Sequence, residues 1–200
     1  MDKRELRQQR VKNYFIDATC EIIRKEGIKG LNIRKVADAA GYHYSTIYKY
    51  FKDFPHLIAV SVLQFLEEAG KYVEENSVSS DPIEYYIDSW GAFCRYSLDN
   101  LNIFNSIFIE GYGDIDTNEI EEMFGKSSLF ESRYKAIERY AEALKINREE
   151  AIRLDGTVTS LCIGSIVLYQ SKRLGFTAEQ VIENNLTNIR LLMNSYKQQN

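Results

Sequence analysis

Between His43 and Lys52 the chain reads HYSTIYKYFK, ten residues holding three tyrosines, a serine, a threonine and two lysines. Hydroxyls and ammonium groups of this kind donate hydrogen bonds to phosphate oxygens, which fixes register on a duplex without reading its sequence. At helical spacing Ile47 and Phe51 fall one turn apart and point inward. Tyr44, Ser45, Tyr48, Lys49 and Lys52 then lie on the opposite side, with Thr46 and Tyr50 at the edges. Base edges are met near the N-terminus of such a segment, so Tyr44 and Ser45 are the candidates for base contact. Arg34, upstream, is a further candidate because a guanidinium binds guanine bidentately. The plain alternative is that tyrosines in a short helix simply pack, Tyr50 before Tyr44.

Elements that would present these side chains are legible on either side. Val11, Phe15, Ala18, Ile22 and Ile23 form one stripe of a helix over about 5–26, closed by Gly27 and Gly30. Asn32 is an N-cap for a helix over 33–40 that buries Ile33, Val36, Ala37 and Ala40. Gly41 supplies a left-handed turn, and the segment described above follows as a helix over about 43–51. Asp53 caps a long helix to about 76, with Pro55 in its first turn. Ser77–Asp81 with Pro82 is a linker and a restart. Further helices are predicted over 83–99, 101–111, 118–145, 148–174 and 178–197, the last two opened by Asn147 and by Thr177 with Glu179 and Gln180. The fold class is all-α: a three-helix helix-turn-helix head, 1–54, followed by a helical domain over 55–200.

Net charge is −4 over 200 residues, but the average conceals a split. Residues 1–52 carry 12 Lys and Arg against 6 Asp and Glu, and the remaining 148 carry 13 against 23. A basic head on an acidic body suits a polyanion bound at one end. A solvated charged helix would give the same asymmetry, so the charge supports the motif and does not replace it. Cys20, Cys94 and Cys162 are distant, odd in number and in no CxxC pair, and are expected to be buried apolar fillers. No apolar run approaches a membrane span and the first ten residues are charged, so no membrane is expected and the compartment is cytoplasmic.

Residues 11–58 resemble the DNA-binding domain of the tetracycline-repressor (TetR) family. That family's pattern, A-G-V-S-x-G-T-L-Y-x-Y/H-F, is followed here at Ala40, Gly41, Thr46, Tyr48, Tyr50 and Phe51, with Ile47 a conservative change. The resemblance implies phosphate contacts from Thr46, Tyr48 and Tyr50 and base contacts from Tyr44 and Ser45. Three positions depart from it: His43 replaces a serine that begins the recognition helix, Tyr42 a small apolar residue, and Phe54 a phosphate-binding lysine. Lys52 stands two residues before Phe54. The resemblance further implies that the C-terminal helices bind a ligand and form a homodimer, which would read a near-palindromic duplex.

Residues 156–168, GTVTSLCIGSIVL, are nearly uncharged and rich in small side chains, as a helix packed on a symmetry mate or buried within one subunit would be. Over 83–112, Tyr86, Trp90 and Phe93 share a helix face, and Phe104 and Phe108 repeat the spacing. Such stripes are core more often than pocket. As a pocket, Trp90, Phe93, Phe104, Phe108 and Glu110 would meet a small apolar or aromatic effector. A cationic group on it could meet Glu110 or Asp88 and the aromatic faces.

These features favour a dimeric, sequence-specific repressor released from its operator by a small molecule. The alternative is a DNA-binding protein of the same fold that acts through protein partners without an effector. Catalysis is not expected: both histidines lie in or beside the head, and no HExxH, ExxH, GxSxG, P-loop or dinucleotide fingerprint is present. No cofactor and no metal site is expected.

Overall fold

A computed structural model describes residues 2–173 and 175–199. Among them no strand occurs, and the helices are α1 (Lys3–Glu26), α2 (Ile33–Ala40), α3 (Phe54–Glu75), α4 (Pro82–Asp99), α5 (Leu101–Phe108), α6 (Thr117–Gly125), α7 (Ser128–Leu144), α8 (Arg148–Gln170) and α9 (Ala178–Gln199). The chain packs as two compact units. One comprises residues 1–66 and 102–125, the other 67–101 and 126–200.

Local chemistry starts the helices where expected. The Asn32 side chain accepts from Lys35 N at 2.9 Å, and Asp53 accepts from His56 N at 2.8 Å. Asp81 accepts from Ile83 N and Glu84 N, with Pro82 at the first helical position, where no N–H is needed. Asn147 with Glu150, and Thr177 with Gln180, form reciprocal bonds that satisfy the first free N–H groups of α8 and α9. Gly41 has φ 77°, a left-handed conformation that costs glycine nothing.

The first unit is organised around the head. Val11, Phe15, Ala18 and Ile22 of α1 pack on Val36 and Ala37 of α2 and on Ile47, Phe51 and Leu57. Phe15, Val36, Ile47 and Leu57 are fully enclosed, so the core that holds the 43–52 segment is a closed one.

That segment is a 3-10 helix over Tyr44–Lys49, not the α-helix over 43–51 that its spacing predicts. Its bonds run i to i+3, Thr46 N to His43 O and Tyr50 N to Ile47 O. The tighter winding still brings Ile47 and Phe51 to the core, which is what the pattern encodes.

In the second unit α4 packs against α7, α8 and α9. Tyr86 stands edge-on to Tyr140 at 4.5 Å and to Trp90 at 6.4 Å, and Trp90 meets Phe93 at 5.4 Å. The expected helix over 118–145 is two helices, broken at Ser127, whose backbone is extended. The break lets Ser128 approach α3, where its N–H donates to Glu67 Oε1 at 3.1 Å and Gly70 faces Leu129 N. A Cβ on Gly70 would lie 2.5 Å from that nitrogen, so only glycine permits the approach. Helix α5 stops at Phe108 rather than 111, and α8 at Gln170 rather than 174, a residue outside those described.

Cys94 and Cys162 are buried as expected, whereas Cys20 is half-buried with its thiol donating to Ser61 O at 3.4 Å. Arg148–Gln170 is, among the described residues, a helix long and apolar enough to cross a membrane by length and composition. Six of its residues are buried within the unit, Asp155 among them.

Candidate nucleic-acid interface

Two anchors position the 43–52 segment. Ile47 and Phe51, 0% and 5% exposed, fix its inner side. At its start His43 takes the place of a capping serine, with Nδ1 2.8 Å from Ser45 Oγ and accepting Ser45 N–H at 3.4 Å. An imidazole thus does the capping work of a hydroxyl. Its ring also lies 4.4 Å from that of Tyr44, so both N-terminal candidates are held by His43.

On the outer side Tyr44 is 40% and Tyr48 56% exposed, large values for aromatic rings on a folded head. Arg34, Ser45, Lys49 and Lys52 are exposed too. Thr46 and Tyr50 are half-buried, and Tyr50 packs on the head core beside Tyr42 and Phe54. Tyr42 and Phe54, two of the positions that depart from the family pattern, are therefore used as core. Neither Arg34 nor Lys49 has a hydrogen-bond or ion-pair partner among the described residues. Lys52 is different: its Nζ lies 3.5 Å from Glu119 Oε2 of α6. The same carboxylate stands 3.9 Å from His56 Nε2. Neither contact is signalled in the sequence, since Glu119 is 67 positions from Lys52. The arrangement leaves cationic and hydroxyl donors exposed over a closed core, as a polyanion would require.

The residues expected to meet an effector fall in both units. Trp90 and Phe93 belong to α4, each 7% exposed, and the Trp90 face is occupied by the Arg133 guanidinium at 5.7 Å. That arginine is held in turn by Asp155 and Thr159, and Asp155 accepts the Tyr86 phenol at 2.7 Å. Phe104 and Phe108 of α5 are 5.4 Å apart. Glu110 follows them, with Oε1 3.9 Å from Lys29 Nζ and Oε2 buried without a hydrogen-bond partner. A groove of about 250 Å³ lies elsewhere, between α7 and α8, lined by Tyr134, Ile137, Glu138, Ala141, Arg148, Ala151 and Ile152. Sequence spacing could have indicated its walls, which repeat every three or four residues, but not that they stay uncovered. No group of three or more His, Cys, Asp or Glu placed to hold a metal occurs among the described residues.

Residues 15–53 match the profile of the bacterial regulatory proteins of the tetR family. A comparison with curated proteins finds no match. Solved structures share the fold across the chain. RolR in complex with resorcinol has a TM-score of 0.70 at 15% identity, covering 92% of this chain and 87% of its own. FadR from Bacillus subtilis in complex with stearoyl-CoA has a TM-score of 0.65 at 14% identity, covering 90% and 96%. A TetR-family transcription regulator from Marinobacter aquaeolei VT8 has a TM-score of 0.58 at 17% identity, covering 97% of each.

Proposed function

From a head that belongs to the tetR family of bacterial regulatory proteins, we propose that this chain is a dimeric, sequence-specific DNA-binding transcriptional repressor, released from its operator by a small molecule. Residues 1–54 bind DNA, and residues 55–200 regulate and dimerise. The observation that carries the reading is the exposed row of hydroxyls and cations over 44–52, seated on a fully closed core. Thr46, Tyr48, Lys49, Tyr50 and Lys52 hold phosphates, and Arg34, Tyr44 and Ser45 meet bases. In the tautomer whose Nδ1 accepts the Ser45 N–H, the Ser45 hydroxyl donates to the same nitrogen and its oxygen is left to accept from an amino group on adenine or cytosine.

Two copies pair through α8 and α9, where Val167, Leu168 and Leu191 are 40%, 51% and 63% exposed, and the pair reads a near-palindrome in the cytoplasm. The effector is small and apolar or aromatic. Its proposed contacts are Trp90, Phe93, Phe104, Phe108 and Glu110. Fold relatives solved with resorcinol and with stearoyl-CoA support a small-molecule ligand. One observation favours the second reading, a regulator that acts through protein partners: Trp90 is already covered by Arg133.

Footprinting on genomic fragments tests the first claim, with protection of a two-fold symmetric site expected. Absence of any sequence-selective protection refutes it. Release of that site by an aromatic compound separates the effector reading from the partner reading.

A further inference from the structure

Helix α1 begins at Lys3, yet the head core begins at Val11 and the family match only at Phe15. Residues 2–10 are exposed throughout, so about two turns of helix stand free of any packing. An unpacked helix has to be held by its own chemistry. Glu5 reaches back to accept the Asp2 N–H at 2.9 Å, and Gln9 donates to Asn13 at the same distance.

The cations on this extension are unspent. The side chains of Lys3, Arg4, Arg7, Arg10 and Lys12 form no hydrogen bond or ion pair among the described residues. They are not scattered evenly either. Lys3, Arg7, Arg10 and Tyr14 follow one another at steps of four, three and four, which places them on a single stripe of the helix. The core stripe through Val11, Phe15, Ala18 and Ile22 lies roughly a quarter-turn away. Arg4 and Lys12 fall outside the basic stripe.

The lower end of the stripe shows where it faces. Tyr14 is 52% exposed, and its ring centroid lies 6.3 Å from that of Tyr42. Tyr42 is the turn residue that leads into His43 and Tyr44. The stripe therefore ends beside the turn that leads into residues 43–52, within the same compact unit.

We propose that Lys3, Arg7 and Arg10, with Tyr14, form a second DNA contact that grips backbone phosphates flanking the bases read by residues 44–49. The proposal rests on the reading of the head as a duplex binder. An arm of this kind adds affinity and no base preference, since guanidinium and ammonium groups on phosphates carry no sequence information.

The test uses the full chain and two variants of equal charge change: Arg7→Ala/Arg10→Ala on the stripe and Arg4→Ala/Lys12→Ala off it. Binding is measured on the operator and on a scrambled duplex across a salt series. The on-stripe pair should weaken both duplexes by the same factor, about tenfold, and lower the salt slope by about 1.8. Hydroxyl-radical protection should shrink at the operator flanks. The off-stripe pair should leave slope and protection unchanged. Equal effects from both pairs, or an unchanged slope in the on-stripe pair, overturn the arm. A wild-type chain that binds duplexes without preference refutes the operator reading alone, because the slopes still measure the arm. One that binds no duplex refutes both.

Discussion

Lys52 Nζ and Glu119 Oε2 stand 3.5 Å apart, so a cation at the end of the reading segment is shared with a carboxylate of α6. On the proposed reading, DNA phosphate and Glu119 compete for the same ammonium. Removing the carboxylate as Glu119→Gln should tighten duplex binding up to about fivefold, the ceiling for an exposed pair. The salt slope should steepen by about 0.9, since one more cation then arrives unpaired at the DNA. Equal affinity and slope in titrations of both proteins would show that Lys52 stays off the backbone.

Asp155 ties α8 to α4 and α7: it is 3% exposed and serves both Tyr86 and Arg133. Asp155→Ala leaves the Tyr86 phenol without its acceptor inside the unit and the Arg133 guanidinium with Thr159 alone. The expected loss is about 3 kcal/mol of unfolding free energy, as for other broken buried pairs. Chemical denaturation of the variant checks it. A loss of less than about 1 kcal/mol would mean that solvent reaches Arg133 freely.

Three tyrosines set an alkaline limit. Burial raises the Tyr86 phenol well above its ordinary value, with the Asp155 charge adding to it, and burial likewise raises Tyr140 and Tyr112. The unfolded phenols lose their protons first, near pH ~10, so above that value the unfolded state binds fewer protons than the folded one. Stability should be flat with respect to these groups below that pH. Above it, stability falls by about 1.4 kcal/mol per pH unit for each buried phenol. Urea melts between pH 8 and 11.5 should show the decline, and Tyr140→Phe should make it shallower by one phenol's share.

Gly70→Ala should be costly despite being the smallest possible change. The added methyl would meet the Leu129 backbone nitrogen at 2.5 Å, and a backbone cannot step aside as a side chain can. About 3 kcal/mol is expected, the upper range for overpacking, which lowers Tm by roughly 6–12 °C at this chain length. Gly125→Ala, at the end of α6 with open space around it, is the control and should leave Tm unchanged or raised.

What the sequence disclosed followed the range of the interactions. Asn32, Asp53, Asp81, Asn147 and Thr177 act on backbone two or three residues away, so the helix starts they make were readable, as was the left-handed turn at Gly41. The inner side of the 43–52 segment was readable because Ile47 and Phe51 are its aliphatic and phenylalanine residues, and an α-type bond from Phe51 N to Ile47 O at 3.0 Å keeps them one turn apart. The 3-10 winding over Tyr44–Lys49 was not, since apolar spacing marks the side to be buried and not the bond pattern. The break at Ser127 depends on α3, some 60 positions earlier, and leaves no local mark. Arg133 over Trp90 and Glu119 beside Lys52 are likewise meetings of distant residues, each an ordinary surface charge when read along the chain.

Along α8 the buried residues Ala151, Leu154, Asp155, Val158, Cys162 and Ile166 occupy one side, while Ile152, Val167 and Leu168 face outward. With the proposed pairing, that outward side is finished only by another copy. A protein completed in this way has no fixed durability of its own, because mass action ties the resistance of each copy to unfolding to how many copies surround it. Dilution then weakens the pair and each member together.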